Sequence, residues 1–330
     1  MHEFTLIRAE TDEAAVSALT AHPDARLIAG GTNLVDLMKE GVETPTHLID
    51  INGLGDLDRI EARADGSIMI GALSSNSSVA WNADIQSRFP MISDAILAGA
   101  TTQLRNMATM GGNLLQKNRC FYYPDHNARC NKREPGSGCD AMDGVNRMCA
   151  VLGTSDQCIA AHPSDVCVAL RALDAIVHVK GVEGHRAIEF ADFHKLPGGT
   201  PHVEFDLAHN ELITGIEVPG LPFAANSTYL KLRDRTSYAF ALVSIAAALK
   251  LDGDTVDDVR LAVGSVGTVP WRSAGAEDAM RGAPATAATF SKAAEIFFEG
   301  AKPRAGNGFK IELAKRAIVR VMETLKEQAA

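Results

Sequence analysis

The first fifty residues change period in a regular order. FTLIRA (4–9) reads as a strand, and TDEAAVSALTAHP (11–23) opens on Thr and Asp and continues with apolar positions at helical spacing. RLIAGG (26–31) is a short apolar strand running into two glycines. TNLVDLMKEG (32–41) starts on a capping-type Thr32 and stops at Gly41, as helices often do. THLIDI (46–51) is a third strand. The pattern predicts a β-α-β-α-β unit, an α/β subdomain.

GSIMIGAL (66–73) alternates like a strand, and residues 74–100 keep helical spacing with a break near Pro90. TTQLRNMATMGGNLLQ (101–116) returns to a glycine loop. Residues 120–158 are rich in Gly, Asn, Pro and charge and predict a long insertion without regular structure, which in a compact domain is usually functional or disordered. HPSDVCVALRALDA (162–175) predicts a helix capped by Ser164. AIVHVKG and HRAIEF predict a hairpin around VEG, and ELITGIEVPG a further strand. After Pro222 the character changes: residues 228–267 predict antiparallel strands with DGDT as a tight turn, and from Ser273 the chain is alanine-rich and helical. We place a domain boundary near residue 222.

A chain of 330 residues, 46% of them apolar, accommodates two or three domains with a buried core. Its formal net charge of −9 argues against nucleic acid as a partner, because phosphate binding demands basic patches. MHEFTLIRAETDEAA carries acids early and no apolar h-region, so no secretory signal is expected. The longest apolar run, Tyr238 to Leu249, is too short to span a bilayer. The expectation is a soluble protein without membrane insertion, cytoplasmic or carried to the periplasm by a signal-bearing partner.

Two segments carry anion-binding chemistry. IAGGTNL (28–34) and TMGGNL (109–114) each join a Gly–Gly pair to a Thr and an Asn. Glycine lets the backbone approach a ligand closely, and N–H groups at a helix start point at an anion. Two such loops could clamp a pyrophosphate from both sides, although a Gly–Gly pair between strand and helix is also an ordinary turn. Neither is a Rossmann fingerprint or a Walker A loop, so the pair points to a different flavin-binding architecture. Asp165 in HPSD could bind ribityl or ribose hydroxyls or belong to a helix cap, and Lys231 in TYLKLRDR could face an anion or solvent.

All six cysteines lie between positions 120 and 167: Cys120, Cys130, Cys139, Cys149, Cys158 and Cys167. Cys167 sits on an apolar helical pattern and is assigned to the core. No two of them form the short CxxC pair usual for zinc, and no export signal supports disulfides. Thiolates spaced this widely can still hold a 4Fe-4S cluster. Arg119, Lys132 and Arg133 would offset its charge, and Gly136, Ser137 and Gly138 leave room for N–H bonds to sulfur.

IAGGTNLVDLMK, LRNMATMGGNLLQ and CIAAHPSD, in that order, resemble the flavin (FAD-binding, medium) subunit of the molybdenum hydroxylases, a family that includes xanthine dehydrogenases, aldehyde oxidoreductases, CO dehydrogenases and 4-hydroxybenzoyl-CoA reductases. RCFYYPDHNARCNKREPGSGC is most similar to the branch of bacterial periplasmic aldehyde oxidoreductases whose flavin subunit has an additional 4Fe-4S cluster. The resemblance implies an α+β chain: an FAD-binding domain of the p-cresol methylhydroxylase type over 1–222, with subdomains of about 1–52 and 53–222 and the Cys-rich insertion at about 119–158. A smaller α+β domain of the CO dehydrogenase flavoprotein type follows at 223–330. It implies FAD contacts from Leu27, Ile28, Ala29, Gly30, Gly31, Thr32, Asn33 and Leu34, from Thr109, Gly111, Gly112 and Asn113, and from His162, Asp165 and Lys231. It implies cluster ligands Cys120, Cys130, Cys139 and Cys158, with Cys149 the alternative to Cys158.

By the same resemblance, a large molybdenum-pterin subunit hydroxylates the substrate, a small subunit with two 2Fe-2S clusters relays electrons, and this chain passes them from FAD to an external acceptor. The assembly would be a heterotrimer or a dimer of heterotrimers acting on aldehydes, and no general acid or base is expected in this chain. The alternatives are a flavin subunit of xanthine dehydrogenase or aromatic acyl-CoA reductase type, a free-standing flavoenzyme, and a zinc-stabilised nucleotide-binding protein.

Overall fold

The computed structural model describes residues 1–329. The opening unit is β1 (Thr5–Arg8), α1 (Asp12–Ala21), β2 (Arg26–Ile28), α2 (Leu34–Lys39) and β3 (His47–Asp50). Its three strands form a parallel sheet in the order β1-β3-β2. Thr11 caps α1, its hydroxyl accepting from the Ala14 N–H at 3.1 Å. For α2 the cap position is Asn33, one residue later than expected, and it makes no side-chain cap. Asn33 Oδ1 instead accepts from the Lys117 N–H at 2.9 Å, tying the first glycine segment to the second. Gly41, at φ +73°, ends the turn after α2 in the left-handed conformation that glycine adopts without penalty.

The second unit contains β4 (Ile60–Ala62), β5 (Ile68–Gly71), and five short helices: α3 (Asn76–Ala80), α4 (Ala83–Arg88), α5 (Pro90–Ala98), α6 (Thr102–Met107) and α7 (Met110–Leu114). Pro90 breaks the helical stretch by starting α5, where its missing N–H has no partner to lose. The second glycine pair lies inside α7 rather than in an open loop; Thr109 caps it by accepting from the Gly112 N–H at 3.4 Å. The Cys-rich insertion then runs without helix or named strand to α8 (Asp165–Ala172), capped by Ser164. β6 (Ile176–Gly181), β7 (Gly184–Glu189), α9 (Phe190–Phe193) and β8 (Leu212–Val218) complete an antiparallel sheet ordered β4-β5-β8-β6-β7.

The last unit is an antiparallel sheet ordered β12-β11-β10-β9, made of β9 (Ser227–Leu232), β10 (Val243–Asp252), β11 (Thr255–Gly264) and β12 (Trp271–Arg272). It carries α10 (Ala274–Asp278), α11 (Ala287–Phe297) and α12 (Phe309–Ala329). Side chains alternate across a strand, and β10 is buried on both faces. Ala246 and Ala248 pack into the core of the second unit. Ile245, Ala247 and Leu249 pack against α11 and α12, including Phe290, Phe297 and Ile318. Each such buried large side chain contributes about 1.5–3 kcal/mol.

The Cys-rich insertion is fastened to this last unit. Val151 and Leu152 sit in its core, and their N–H groups donate to Val266 O at 2.8 and 2.9 Å. The fully buried Lys310 Nζ donates to the carbonyls of Met148, Cys149 and Ser265 at 3.0, 3.0 and 2.8 Å. Burial pulls its pKa down to about 8.

Candidate functional site

A cavity of about 960 Å³ opens between the first two units and the last. Leu27, Ile28, Ala29, Gly30, Gly31, Thr32, Asn33 and Leu34 all line it, as do Thr109, Gly112, Asn113, Asp165 and Lys231. Gly30 is glycine because the two glycine segments meet backbone to backbone there. A Cβ on Gly30 would lie 1.7 Å from the Met107 carbonyl oxygen. Gly111 lies outside the lining; it is buried, and its added Cβ would meet Ala72 at 3.1 Å.

Asp165, the first residue of α8, is held on both oxygens. Oδ1 accepts from the Tyr229 hydroxyl at 2.6 Å and Oδ2 from Lys231 Nζ at 2.7 Å. Lys231, its side chain 4% exposed, also donates to Ala98 O at 3.2 Å. Such a pair gains from Coulomb attraction in a low-dielectric wall, but losing either member strands a buried charge. Burial and the adjacent Asp165 raise the Tyr229 pKa well above the usual phenol value. Ser164 Oγ donates to Asn113 Oδ1 at 2.7 Å, joining the HPSD segment to the second glycine segment. Two buried donors of the cavity wall, Asn33 Nδ2 and Arg119 Nε, have no partner among the described residues.

His162 lies outside the lining. It is half-buried, its ring packed edge to face on His194 with centroids 4.5 Å apart, and its pKa is lowered by desolvation and by the neighbouring ring. Burial likewise depresses His194 to about 4. The hydrogen-bond pattern assigns the tautomers: His162 Nδ1 faces the Ser164 N–H at 3.4 Å, and His194 Nε2 faces Leu114 O at 3.2 Å. The remaining nitrogens, His162 Nε2 and His194 Nδ1, are thus a donor and an acceptor, both buried and without a partner among the described residues; ligand atoms of the two rings and of Cys167 lie within 4.8 Å of one another.

Beyond the cavity wall lies a small pocket lined by Cys120, Cys130, Cys139 and Cys158 together with Asn118 and Lys132. Cys130 and Cys139 face each other across an isolated antiparallel bridge. Cys158 Sγ accepts from the Ala160 N–H at 3.5 Å, and burial pushes its pKa up to about 11. Cys149 lies outside the lining. Its thiol and that of Cys120 interact, which raises the Cys120 pKa and lowers that of Cys149. Cys167 is fully buried in the core of the second unit, where the apolar pattern placed it.

The flanking charges and glycines differ from the sequence expectation. Lys132 lines the thiol pocket, but Arg119 lines the large cavity, its guanidinium 5.0 Å from the centre of the Phe240 ring. Arg133 is spent on the carbonyls of Tyr122, Tyr123 and Ala128. The N–H groups of Gly136 and Gly138 donate to Asn131 Oδ1 at 3.1 and 2.8 Å, not to sulfur, because that side chain fills the centre of their turn.

Residues 2–221 match the family described as the FAD binding domain in molybdopterin dehydrogenase, and residues 227–325 the CO dehydrogenase flavoprotein C-terminal domain. The chain is 48% identical over 332 aligned residues to the aldehyde oxidoreductase FAD-binding subunit PaoB of Escherichia coli (strain K12), covering 100% of both. It belongs to the molybdenum hydroxylase family, as an FAD-binding medium subunit. A further relative of this medium subunit is the glyceraldehyde dehydrogenase medium chain of Sulfolobus acidocaldarius, 29% identical over 82% of this chain and 78% of that one. The fold matches a chain of the carbon monoxide dehydrogenase from Hydrogenophaga pseudoflava that lacks the Mo-pyranopterin moiety, with a TM-score of 0.78 at 23% identity, covering 100% of this chain and 99% of that one. Quinoline 2-oxidoreductase from Pseudomonas putida 86 gives 0.78 at 21% identity, covering 99% and 98%.

The medium subunit is therefore part of an oxidoreductase, and the large cavity fits its flavin. The cavity is of the size that holds large cofactors, and its wall carries unpartnered donors suited to an anionic group. The thiol pocket fits an iron–sulfur centre by its donor set: four thiols, the Lys132 ammonium, and the buried, unpartnered Asn118 Nδ2. Its free volume is only about 10 Å³, room for no more than one water, so a cluster would require these thiols to turn outward. Four residues of the site and its surroundings carried no signal in the sequence: Lys117 and Glu204 in the cavity lining, Tyr229 behind Asp165, and Lys310 behind the cysteines. Their partners lie far along the chain, 87 positions for Lys117 and Glu204, 64 for Tyr229 and Asp165.

Proposed function

We propose that this chain carries FAD in the large cavity and a 4Fe-4S cluster in the thiol pocket, and serves as the electron-transfer subunit of an aldehyde-oxidising molybdenum hydroxylase. Its partners in this reading are a molybdenum-pterin large subunit, where the substrate is oxidised, and a 2Fe-2S small subunit that delivers electrons. The 48% identity to an aldehyde oxidoreductase subunit supports the aldehyde class. One observation carries the two-centre reading: the cavity and the pocket share a wall. Gln116, Lys117 and Arg119 line the one, Asn118 and Cys120 the other.

Bound FAD supplies storage for two electrons and exchange of one at a time. The chain's own residues bind and orient. The segment from Leu27 to Leu34, with Thr109, Gly112 and Asn113, forms the diphosphate side, and the Asp165–Lys231 pair holds the far wall. Gly111 and His162 act from behind, Gly111 packed on Ala72 and His162 on His194. Cys120, Cys130, Cys139 and Cys158 are the cluster ligands. Cys158 is preferred to Cys149 because it shares the pocket and already receives a backbone N–H. A single zinc ion at about 2.3 Å from each sulfur would bring the sulfurs to about 3.8 Å of one another. Among the described residues, the grouping with ligand atoms within 4.8 Å is His162, Cys167 and His194, which includes none of the four pocket cysteines.

The test is anaerobic purification of the assembly from its native host with metal, flavin and subunit analysis. The expected result is one FAD and about eight iron and eight acid-labile sulfides per copy of this chain, about four of each in this chain and four in the small subunit, with a molybdenum-bearing partner. A flavin-containing preparation without iron in this chain refutes the cluster, and absence of any molybdenum partner refutes the assembly.

A further inference from the structure

A second group of side chains crosses the wall between the two centres. Glu204 lies in the lining of the large cavity and Lys132 in that of the thiol pocket. Glu204 Oε1 accepts from Lys132 Nζ at 2.8 Å, and Glu204 Oε2 accepts from Lys117 Nζ. Lys132 also donates to Pro201 O at 2.9 Å, and Lys117 lies 5.7 Å from the centre of the Phe205 ring. The side chains are 24%, 11% and 11% exposed for Lys117, Glu204 and Lys132, so water screens them little. Burial pushes the Glu204 carboxyl up, but the two ammonium groups more than offset this and hold it below the usual range. The Lys117 main chain reaches further, donating to Asn33 Oδ1 of the first glycine segment. This group joins elements of both cavities: the wall segment, the insertion, and the loop after α9.

We propose that Lys132, Glu204 and Lys117 form a charge bridge that sets the reduction potentials of both centres from within the wall they share. The inference rests on the reading that FAD and an iron–sulfur cluster occupy the two sites. None of the three residues transfers a proton or an electron in this scheme. They are positioning residues whose fixed charges face both acceptors, and a positive charge near a centre favours its reduced, more negative form.

The test is an anaerobic redox titration of the purified complex, reading the flavin by visible absorption and the cluster by electron paramagnetic resonance. Glu204→Gln removes the negative charge and keeps the shape. Both midpoint potentials are expected to rise, each by about a tenfold change in the one-electron reduction constant, ~59 mV. Lys132→Gln is expected to lower both, the cluster more, and Lys117→Gln to lower both, the flavin more. A merely structural brace would not give this graded response of opposite sign. If E204Q fails to load its cofactors, the two lysine variants decide. Potentials that stay unchanged, or move at one centre alone, in variants that keep both cofactors overturn the bridge and leave the two-centre reading intact. A wild-type complex with flavin but no iron in this chain overturns both.

Discussion

His194 makes the chain's acid limit measurable. Its ring is surrounded by Phe190, Phe193 and Phe205 at 5.3, 4.9 and 5.7 Å between centroids, and its imidazole is held neutral with a folded pKa of about 4. In the unfolded chain it titrates near ~6.5. Below that value the unfolded state binds a proton that the folded state refuses, so stability falls as the pH drops from about 6.5 to about 4 and levels off beneath. At pH ~4.5 the two constants give a loss of about 2.5 kcal/mol relative to neutral pH. His194→Phe fits the aromatic surroundings and removes the titration, but it leaves Leu114 O without the donor at 3.2 Å. An orphaned carbonyl costs about 1–3 kcal/mol, partly offset by the apolar ring. The variant is therefore expected to be about 1 kcal/mol less stable at pH ~7.5, yet to lose about 2.5 kcal/mol less than the wild type on going to pH ~4.5. Urea unfolding followed by circular dichroism at the two pH values reads both terms. Acid-sensitive carboxylates remain in both proteins and largely cancel in the difference, while His162 keeps burial, the larger cause of its lowered pKa, and loses only the smaller contribution of the neighbouring imidazole. Parallel stability curves for the two proteins would refute the assignment of a neutral, buried His194.

Other consequences are equally direct. Gly30→Ala places a Cβ against the Met107 carbonyl, where no flexible side chain can yield; it is expected to cost about 3 kcal/mol and to abolish flavin retention, read as FAD per chain after gel filtration. Asp165→Asn strands Lys231 in a wall where it is 4% exposed, an expected loss of about 3–5 kcal/mol in thermal unfolding, and the added change Lys231→Met should recover part of it. Cys158→Ala should remove the share of iron that belongs to this chain, about four per copy, and leave the small subunit's, while Cys149→Ala keeps both; the reverse outcome would make Cys149 the fourth ligand. Lys310→Met removes three hydrogen bonds from a charged donor to the segment behind the cysteines; an expected loss of about 3 kcal/mol should appear as faster proteolysis between residues 140 and 150.

The amino-acid order alone carried the local structure, because a helical period, a capping hydroxyl or a turn glycine acts within one or two turns of chain. Thr11, Ser164 and Gly41 stand where their chemistry requires, and the β6–β7 and β10–β11 hairpins follow from runs separated by turn residues. The Gly–Gly pairs and the crowding of cysteines were also visible, since both are unusual compositions over a short span. Long-range pairing was not. The second Gly–Gly pair is the start of a helix because Thr109 caps it there and Gly111 rests on Ala72. Asp165 meets Lys231 only because α8 packs on the sheet that carries β9, across 66 positions of chain. Glu204, an ordinary surface-type residue by its neighbours, becomes a buried counter-ion because folding brings ammonium groups from 72 and 87 positions away onto its two oxygens. Period and capping are properties of a few consecutive residues, whereas the fields and ion pairs of a site depend on distances that only the packed chain sets.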